Sequence, residues 1–389
     1  MNPGAIEVGL VIHGPELIDS GKIGDLLNVL RPLGPLHAQA GGTMARVAIL
    51  DKQLTSIDTS KKMHTSEALN FLSDKDVLVL ANCGKTLETG IVFGEIVSSR
   101  VRRSVIQIER PGVTDGRLIL WQGFDGDRFR YVQSVARHLC THLPLEFEQR
   151  QKKAMSSRSA AQFVARHIAG AKRGEPVLIE GIVVGTVAGD EVVITSERNK
   201  IVSVSGVATK AHGLEKIGEI DLGAAYIKTG FLRAHNRACG QETLRPARPL
   251  KRGSIAFVNH RAESTFESVN EGTICAITVG DDTTFICGDI LSRIGIPIVG
   301  ITDGDGDGIY AGMCKAAGSV ILRLSKASDD NVGLALEQSG ILNGENYTLS
   351  DVVTIVTGFL RRGGVEFVAT DDKAERHKGG WKPAVQTFE

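Results

Sequence analysis

The sequence predicts an α/β protein with two parallel-sheet α/β lobes and a β-rich middle segment. Three observations carry this expectation. Over residues 6–145, and again from 254 onward, short apolar runs alternate with amphipathic segments, the pattern of βαβ units. Residues 177–229 instead hold apolar runs (VLIEGIVVG, EVVITSE, KIVSVSGVAT) separated by AGD and ERN turns, as a small antiparallel sheet or barrel requires. The length of 389 residues also exceeds a single core at roughly 150 residues per domain.

In chain order, strands are expected at Val8 to Ile12, Leu36 to Ala40, Val77 to Ala81, Val105 to Ile108 and Leu118 to Trp121. Helices are expected at Ile23 to Leu33, Thr43 to Leu54, Thr65 to Leu72, Leu87 to Arg100 and Arg128 to His142. Residues 1–148 thus form a doubly wound domain. Residues 149–175 read as a basic connecting helix, since Lys152, Lys153, Arg158, Arg166, Lys172 and Arg173 precede the first acid, Glu175. Residues 176–252 are the β-rich segment, closed by an extended linker with Arg245, Arg248, Lys251 and Arg252, a candidate phosphate contact. The second α/β domain spans 253–370, with strands SIAFVNHR, TICAITVG, IPIVGIT and SVILRLS. Its helices are Thr283 to Ile294, Tyr310 to Ala317, Val332 to Gln338 and Leu349 to Arg362. Residues 371–389 read as a polar, mobile tail.

Composition removes several function classes. Lys+Arg and Asp+Glu both number 45, so no global field favours nucleic acid or an anionic membrane. The six cysteines include no CxxC pair, which argues against zinc ribbons and a disulfide framework and for reduced thiols in a cytoplasm. Neither a signal peptide nor an apolar run of about 18 residues is present, so no membrane role is expected. Aromatic residues make up 5%, too few for stacking platforms along single-stranded nucleic acid.

The strongest chemical signal is ITDGDGDG, where the apolar run IPIVGIT ends in Asp303, Asp305 and Asp307. Acids also follow two neighbouring strands, at Asp281 and Asp282 and at Asp329 and Asp330. Parallel strands joined by right-handed crossovers place these ends on one edge. Like charges gathered there call for protons or a cation, and oxygen donors favour Mg²⁺ or a similar hard ion. The bland alternative is capping, because Asp281 or Asp282 and the Asp329–Asp330 pair each precede a helix. An EF-hand fails on register. Gly308 sits at position 6 of such a loop, but Cys314 occupies position 12, where a bidentate Glu belongs.

ITDGDGDGI resembles the strand-end aspartate motif of the toprim fold of type II topoisomerases and primases, well over about 15 residues and loosely over 254–325. The resemblance implies Mg²⁺-assisted phosphoryl transfer, with Asp303 and Asp305 as the catalytic acids and Asp281, Asp282, Asp303, Asp305 and Asp307 as metal ligands. It also implies a glutamate on an earlier strand. Glu263 lies near that place without matching flanks, and Asp281 is a substitute. Tyr226, Tyr310 and Tyr347 lack the context of a strand-breaking tyrosine. Taken whole, with HGPELIDSG, VGDDTT, GDIL and GIPIVGITDGD, the chain is similar to an archaeal family of unknown function best represented in methanogens, which implies an archaeal cytoplasmic protein.

The first domain offers a second set of strand-end residues. His13 and Glu16 follow strand one, Gly41, Gly42 and Thr43 open a helix, and Asn82, Gly84, Lys85 and Thr86 open another. His13, Thr43, Lys85 and Thr86 are the candidate ligand-binding residues, as an anion cradle. It is no P-loop, because Val79 stands where the Walker glycine belongs, and no GxGxxG follows the first strand. The leading expectation is a Mg²⁺-binding protein performing phosphoryl transfer or phosphoester hydrolysis. The alternative is a non-catalytic nucleotide- or phosphometabolite-binding regulator. A phosphate-containing small molecule or a nucleic acid is the expected partner, and oligomeric state is not readable.

Overall fold

The computed structural model describes residues 5–152, 163–230, 243–262, 265–304, 314–342, 344 and 346–371. The chain divides into two compact units, Met1–Ala234 and His235–Glu389.

The first unit begins with a six-stranded sheet of order β2-β1-β3-β4-β5-β6. Its strands are β1 (Val8–His13), β2 (Leu36–Gly41), β3 (Val77–Asn82), β4 (Val105–Glu109), β5 (Arg117–Gln122) and β6 (Glu146–Gln151). The first four run parallel, β5 turns back antiparallel to β4, and β6 lies parallel to β5. Helices α1 (Glu16–Asp19), α2 (Lys22–Leu30), α3 (Thr43–Lys52), α4 (Thr65–Phe71), α5 (Leu87–Ser99) and α6 (Phe129–His142) cover both faces. Strand alternation sorts the side chains. Leu10 and Ile12 pack with Leu26, Leu30, Val135 and Leu139 on the face of α2 and α6, and Val11, Leu78 and Leu80 pack with Leu69, Val97 and Trp121 on the face of α4 and α5. Burial on two faces explains why these strands read as unbroken apolar runs.

The same unit continues into two antiparallel sheets. One is formed by β7 (Val164–His167), β10 (Val193–Glu197) and β11 (Lys200–Ser205). The other joins β8 (Pro176–Ile179), β9 (Ile182–Val187), β12 (Val207–Thr209) and β13 (Ile227–Thr229), with α7 (Ala211–Ile217) beside β9. Val177, Ile179, Val184, Val187 and Ile194 make their shared core.

The expected basic helix over 149–175 is corrected. Residues 149–151 instead belong to β6, which extends the open edge of β5, and 164–167 to β7, which pairs with β10, while 168–175 run through turns. Backbone pairing at an open sheet edge is a non-local gain that outweighs the weak helical pattern of a window with no apolar stripe. Lys153 and Arg158 lie outside the described residues. Arg166 donates to the carbonyls of Leu222 (3.0 Å) and Ala225.

In the second unit, β14 (Thr243–Arg245) pairs with β18 (Cys314–Ala316). The main sheet has the order β15-β16-β17-β19-β20, from β15 (Ser254–Asn259), β16 (Thr273–Val279), β17 (Ile298–Thr302), β19 (Val320–Leu324) and β20 (Phe367–Asp371). Four strands are parallel and β20 is an antiparallel edge. Ile277, Val279, Val299, Ile301 and Leu322 form one core with α9 (Asp329–Gln338) and α10 (Leu349–Arg362), and α8 (Asp281–Ser292) packs on β16 and β17. Within the expected helix Tyr310 to Ala317, Cys314–Ala316 is a strand and residues 310–313 lie outside the described residues. The linker basics are partly spent on structure. Arg248 Nε donates to Ile294 O at 2.6 Å, and Arg252 Nη1 to Asn346 O at 3.0 Å. Among the described residues no helix is long and apolar enough to cross a membrane.

Candidate functional site

Four parallel strands of the second unit deliver polar side chains to the same edge. His260 follows β15, Asp281 follows β16, Asp303 follows β17, and Asp329 and Asp330 open α9 after β19. Carboxylate oxygens of Asp281, Asp303 and Asp329 lie within 4.8 Å of one another, and His260, Asp329 and Asp330 form an overlapping group. The capping alternative fails for both acid pairs. The N-cap positions are Gly280 and Ser328, neither makes a side-chain capping bond, and the acids fall in the first helical turn.

Asp329 is buried at 5% exposure, so its charge has little water to lean on. Burial raises the Asp281 carboxyl above its ordinary range, and the Asp329 and Asp303 carboxylates push it further the same way. The Gly304 N–H, donated to Asp281 Oδ2 at 3.0 Å, opposes them. Gly304 has φ +81°, and a Cβ there would meet the guanidinium of Arg323, which lies against this turn. Gly280 has φ +104°, and a Cβ would press on the His260 ring. His260 Nε2 stands 3.1 Å from Asp330 Oδ1 and 3.7 Å from Asp329 Oδ1, while Nδ1 is 2.5 Å from Asn259 Oδ1. Both ring nitrogens therefore face oxygen acceptors. His260 itself has φ +56°, an uncommon left-handed backbone for a bulky residue.

Of the sequence candidates, Asp281 and Asp303 are brought together, and Asp329 joins them. Asp282 is outside both groups found among the described residues. Asp305, Asp307, Glu263 and Tyr310 lie outside the described residues. The sequence reasoning missed His260. Its signal is the polar NHR that ends the apolar run SIAFV, a fourth strand end beside the three acidic ones.

The first unit holds a cavity of about 230 Å³ at the C-terminal ends of β1, β2 and β3. His13, Thr43 and Lys85 line it. His13 stacks on Phe93 at 4.0 Å, and its Nδ1 lies 3.1 Å from Gly41 O and 2.9 Å from Thr65 Oγ1. A carbonyl can only accept, so Nδ1 carries the proton and Nε2 is the acceptor. Burial, then the charge of Lys228, lowers His13 to about 3, so the ring is neutral. Burial also raises Glu16 and pushes the Cys83 thiol up to about 11, which makes it a poor nucleophile.

The expected cradle is partly occupied by the protein itself. Lys85 Nζ is held by Glu175 Oε2 at 2.7 Å and Thr229 Oγ1 at 3.0 Å. Thr86 is the N-cap of α5, accepting from Thr89 N at 3.2 Å. Lys228 and Tyr226 enter the cavity wall with no sequence signal, since only the pairing of β13 with β8 returns the chain there, and Phe93 joins them from α5.

The family model described as "uncharacterized protein conserved in archaea (DUF2117)" matches residues 10–344. The chain belongs to this family. An uncharacterized protein of Methanocaldococcus jannaschii is similar to it, 40% identical over 342 residues, covering 87% of this chain and 92% of that protein. No solved structure matches. The family match spans both the cavity of the first unit and the carboxylate edge of the second.

Proposed function

We propose that this member of the archaeal family binds a divalent cation, Mg²⁺ or Mn²⁺, at the carboxylate edge of its second unit and uses it in phosphoryl transfer or phosphoester hydrolysis. The observation that carries the reading is the convergence of Asp281, Asp303 and Asp329 within 4.8 Å from three neighbouring parallel strands. Two unit charges at that separation repel by roughly 3 kcal/mol at an effective dielectric of about 20, so the cluster gains from a counter-ion. Oxygen donors of this kind suit a hard cation, and His260 extends tolerance toward Mn²⁺. Asp305 and Asp307 join the proposal on sequence grounds alone.

When bound, such a cation neutralises charge developing on a phosphoryl group and activates a water. The chain's own residues have separate tasks. Asp281, Asp303 and Asp329 would hold the cation, and Arg323, lying against Gly304, supplies positive charge beside the edge. His260, held between Asn259 and Asp330, is the group able to move a proton there. The resemblance of ITDGDGDGI to the toprim motif favours phosphoryl transfer over other metal chemistry, and His260 stands at the strand end nearest the place expected of the toprim glutamate.

Calorimetric titration with Mg²⁺ and Mn²⁺, paired with an assay on a generic phosphodiester, tests this. Asp281→Asn with Asp303→Asn should abolish both cation binding and turnover. Unchanged cation affinity in that double variant overturns the reading. A second reading, a non-catalytic nucleotide- or phosphometabolite-binding protein, is favoured by the cavity of the first unit. Ligand binding without turnover, with or without metal, selects it.

A further inference from the structure

Strand order creates a crevice in the first unit. In the arrangement β2-β1-β3, the chain leaves β1 toward α2 on one face of the sheet and leaves β3 toward α5 on the other. The loops His13–Glu16 and Asn82–Lys85 therefore part at the C-terminal edge, and in open α/β sheets such a reversal is where ligands sit. The antiparallel segment roofs it with Ile168, Leu178 and Ile227, leaving the cavity of about 230 Å³.

We infer that this cavity is a binding site for a small organic anion with a single planar, apolar body, such as an aromatic carboxylate or phosphate monoester. The volume lies below the roughly 300–1,000 Å³ of drug-sized sites, which suits one substituted ring and excludes a dinucleotide. Met44 joins the three roof residues as apolar wall, and the stacked His13–Phe93 pair adds a flat surface for a ring. Lys228 lies on the wall, close enough for its charge to act on both His13 and Glu16, and supplies the complement to an anionic group. With Nδ1 committed to Gly41 and Thr65, the only acceptor His13 has left is Nε2. The inference rests on the binding reading of the first unit and is independent of the metal reading.

The test is titration of the full chain, by calorimetry and saturation-transfer NMR, with phenyl phosphate, benzoate, inorganic phosphate and benzyl alcohol. At least one aromatic anion should saturate at one per chain, with inorganic phosphate and benzyl alcohol at least ten-fold weaker. Benzoate against phenyl phosphate decides which head group is preferred, and saturation by benzoate alone removes the phosphate form of the second reading while leaving the site standing. Lys228→Ala, a change at an exposed position, should weaken binding at least ten-fold, and Ala169→Trp should fill the cavity and abolish it. Asp303→Asn should leave aromatic-anion binding unchanged, which keeps failure here distinct from failure of the metal site. No saturable binding by either aromatic anion, or affinity unaltered in Lys228→Ala, overturns the inference.

Discussion

His13 shows how one side chain ties the first strand to the pH range in which the fold is secure. Its folded pKa is depressed from 6.5 to about 3, by burial first and then by Lys228. Above pH 6.5 the folded and unfolded states are both neutral at this site and the shift costs nothing. As pH falls from 6.5 toward 3, the unfolded chain takes up a proton that the folded chain refuses, so stability declines across that window. Each unit is worth about 1.4 kcal/mol. His13 is partly exposed at the cavity, so roughly half of that is expected, about 2 kcal/mol between pH 6.5 and 4. His13→Gln should therefore lose less stability than the native chain on acidification, by thermal melts at matched pH. Parallel melting curves for the two proteins would contradict the burial argument.

At the scale of elements, α5 is shaped by what lies beneath it. β4 turns Ile106 and Ile108 to one face and the fully buried Gln107 and Glu109 to the other, under α5. Gln107 accepts from Trp121 Nε1 at 2.7 Å and donates to Gly90 O at 2.9 Å and to Glu109 Oε2 at 2.7 Å. Glu109 also accepts from Asn82 Nδ2 at 2.7 Å and Gly84 N at 2.6 Å, fixing the loop after β3. Burial still raises its carboxyl above the usual range. A Cβ at Gly94 would fall 1.7 Å from Gln107 Oε1, and one at Gly90 would fall 2.1 Å from Glu109 Cδ. Gly94→Ala should thus destabilise by about 1–3 kcal/mol in urea unfolding, although helix propensity alone argues for a gain of up to about 1 kcal/mol. A stabilised Gly94→Ala protein would mean that α5 can stand off the sheet.

The elements also show which parts of the fold are legible in sequence. Val77–Asn82 and Ile298–Thr302 are readable because burial on both faces demands β-branched runs, and α10 because Thr348 and Asp351 make a capping box ahead of an amphipathic run. The edge strands β6 and β7 are not, because each pairs with a neighbour on one side alone and their own residues are half exposed. Parallel strand order makes the approach of Asp281, Asp303 and Asp329 readable in the sequence. The place of His260 is harder, since a polar residue ending a strand looks like an ordinary boundary. Glu109 is invisible for the same reason, and Lys228 because nothing local says that β13 lies beside the first sheet's loops.

At the scale of the whole molecule, each unit concentrates its unusual chemistry at the C-terminal edge of a parallel sheet, carboxylates in one and a mixed cavity in the other. In the proposed reading, metal binding at the carboxylate edge works against stability. Three acids from three strands are held together by a core of Ile277, Val279, Val299 and Ile301 that tolerates their repulsion. Thermal unfolding of the native chain and of Asp303→Asn, each with and without millimolar Mn²⁺ and then Mg²⁺, tests the metal proposal most directly. The expected result is a crossing: Asp303→Asn melts higher than the native chain without metal, by about 2–4 °C for each 1 kcal/mol of repulsion relieved. The native chain alone then gains stability on adding the cation. A native chain indifferent to both ions, or a variant that keeps the full cation-dependent rise, would contradict it.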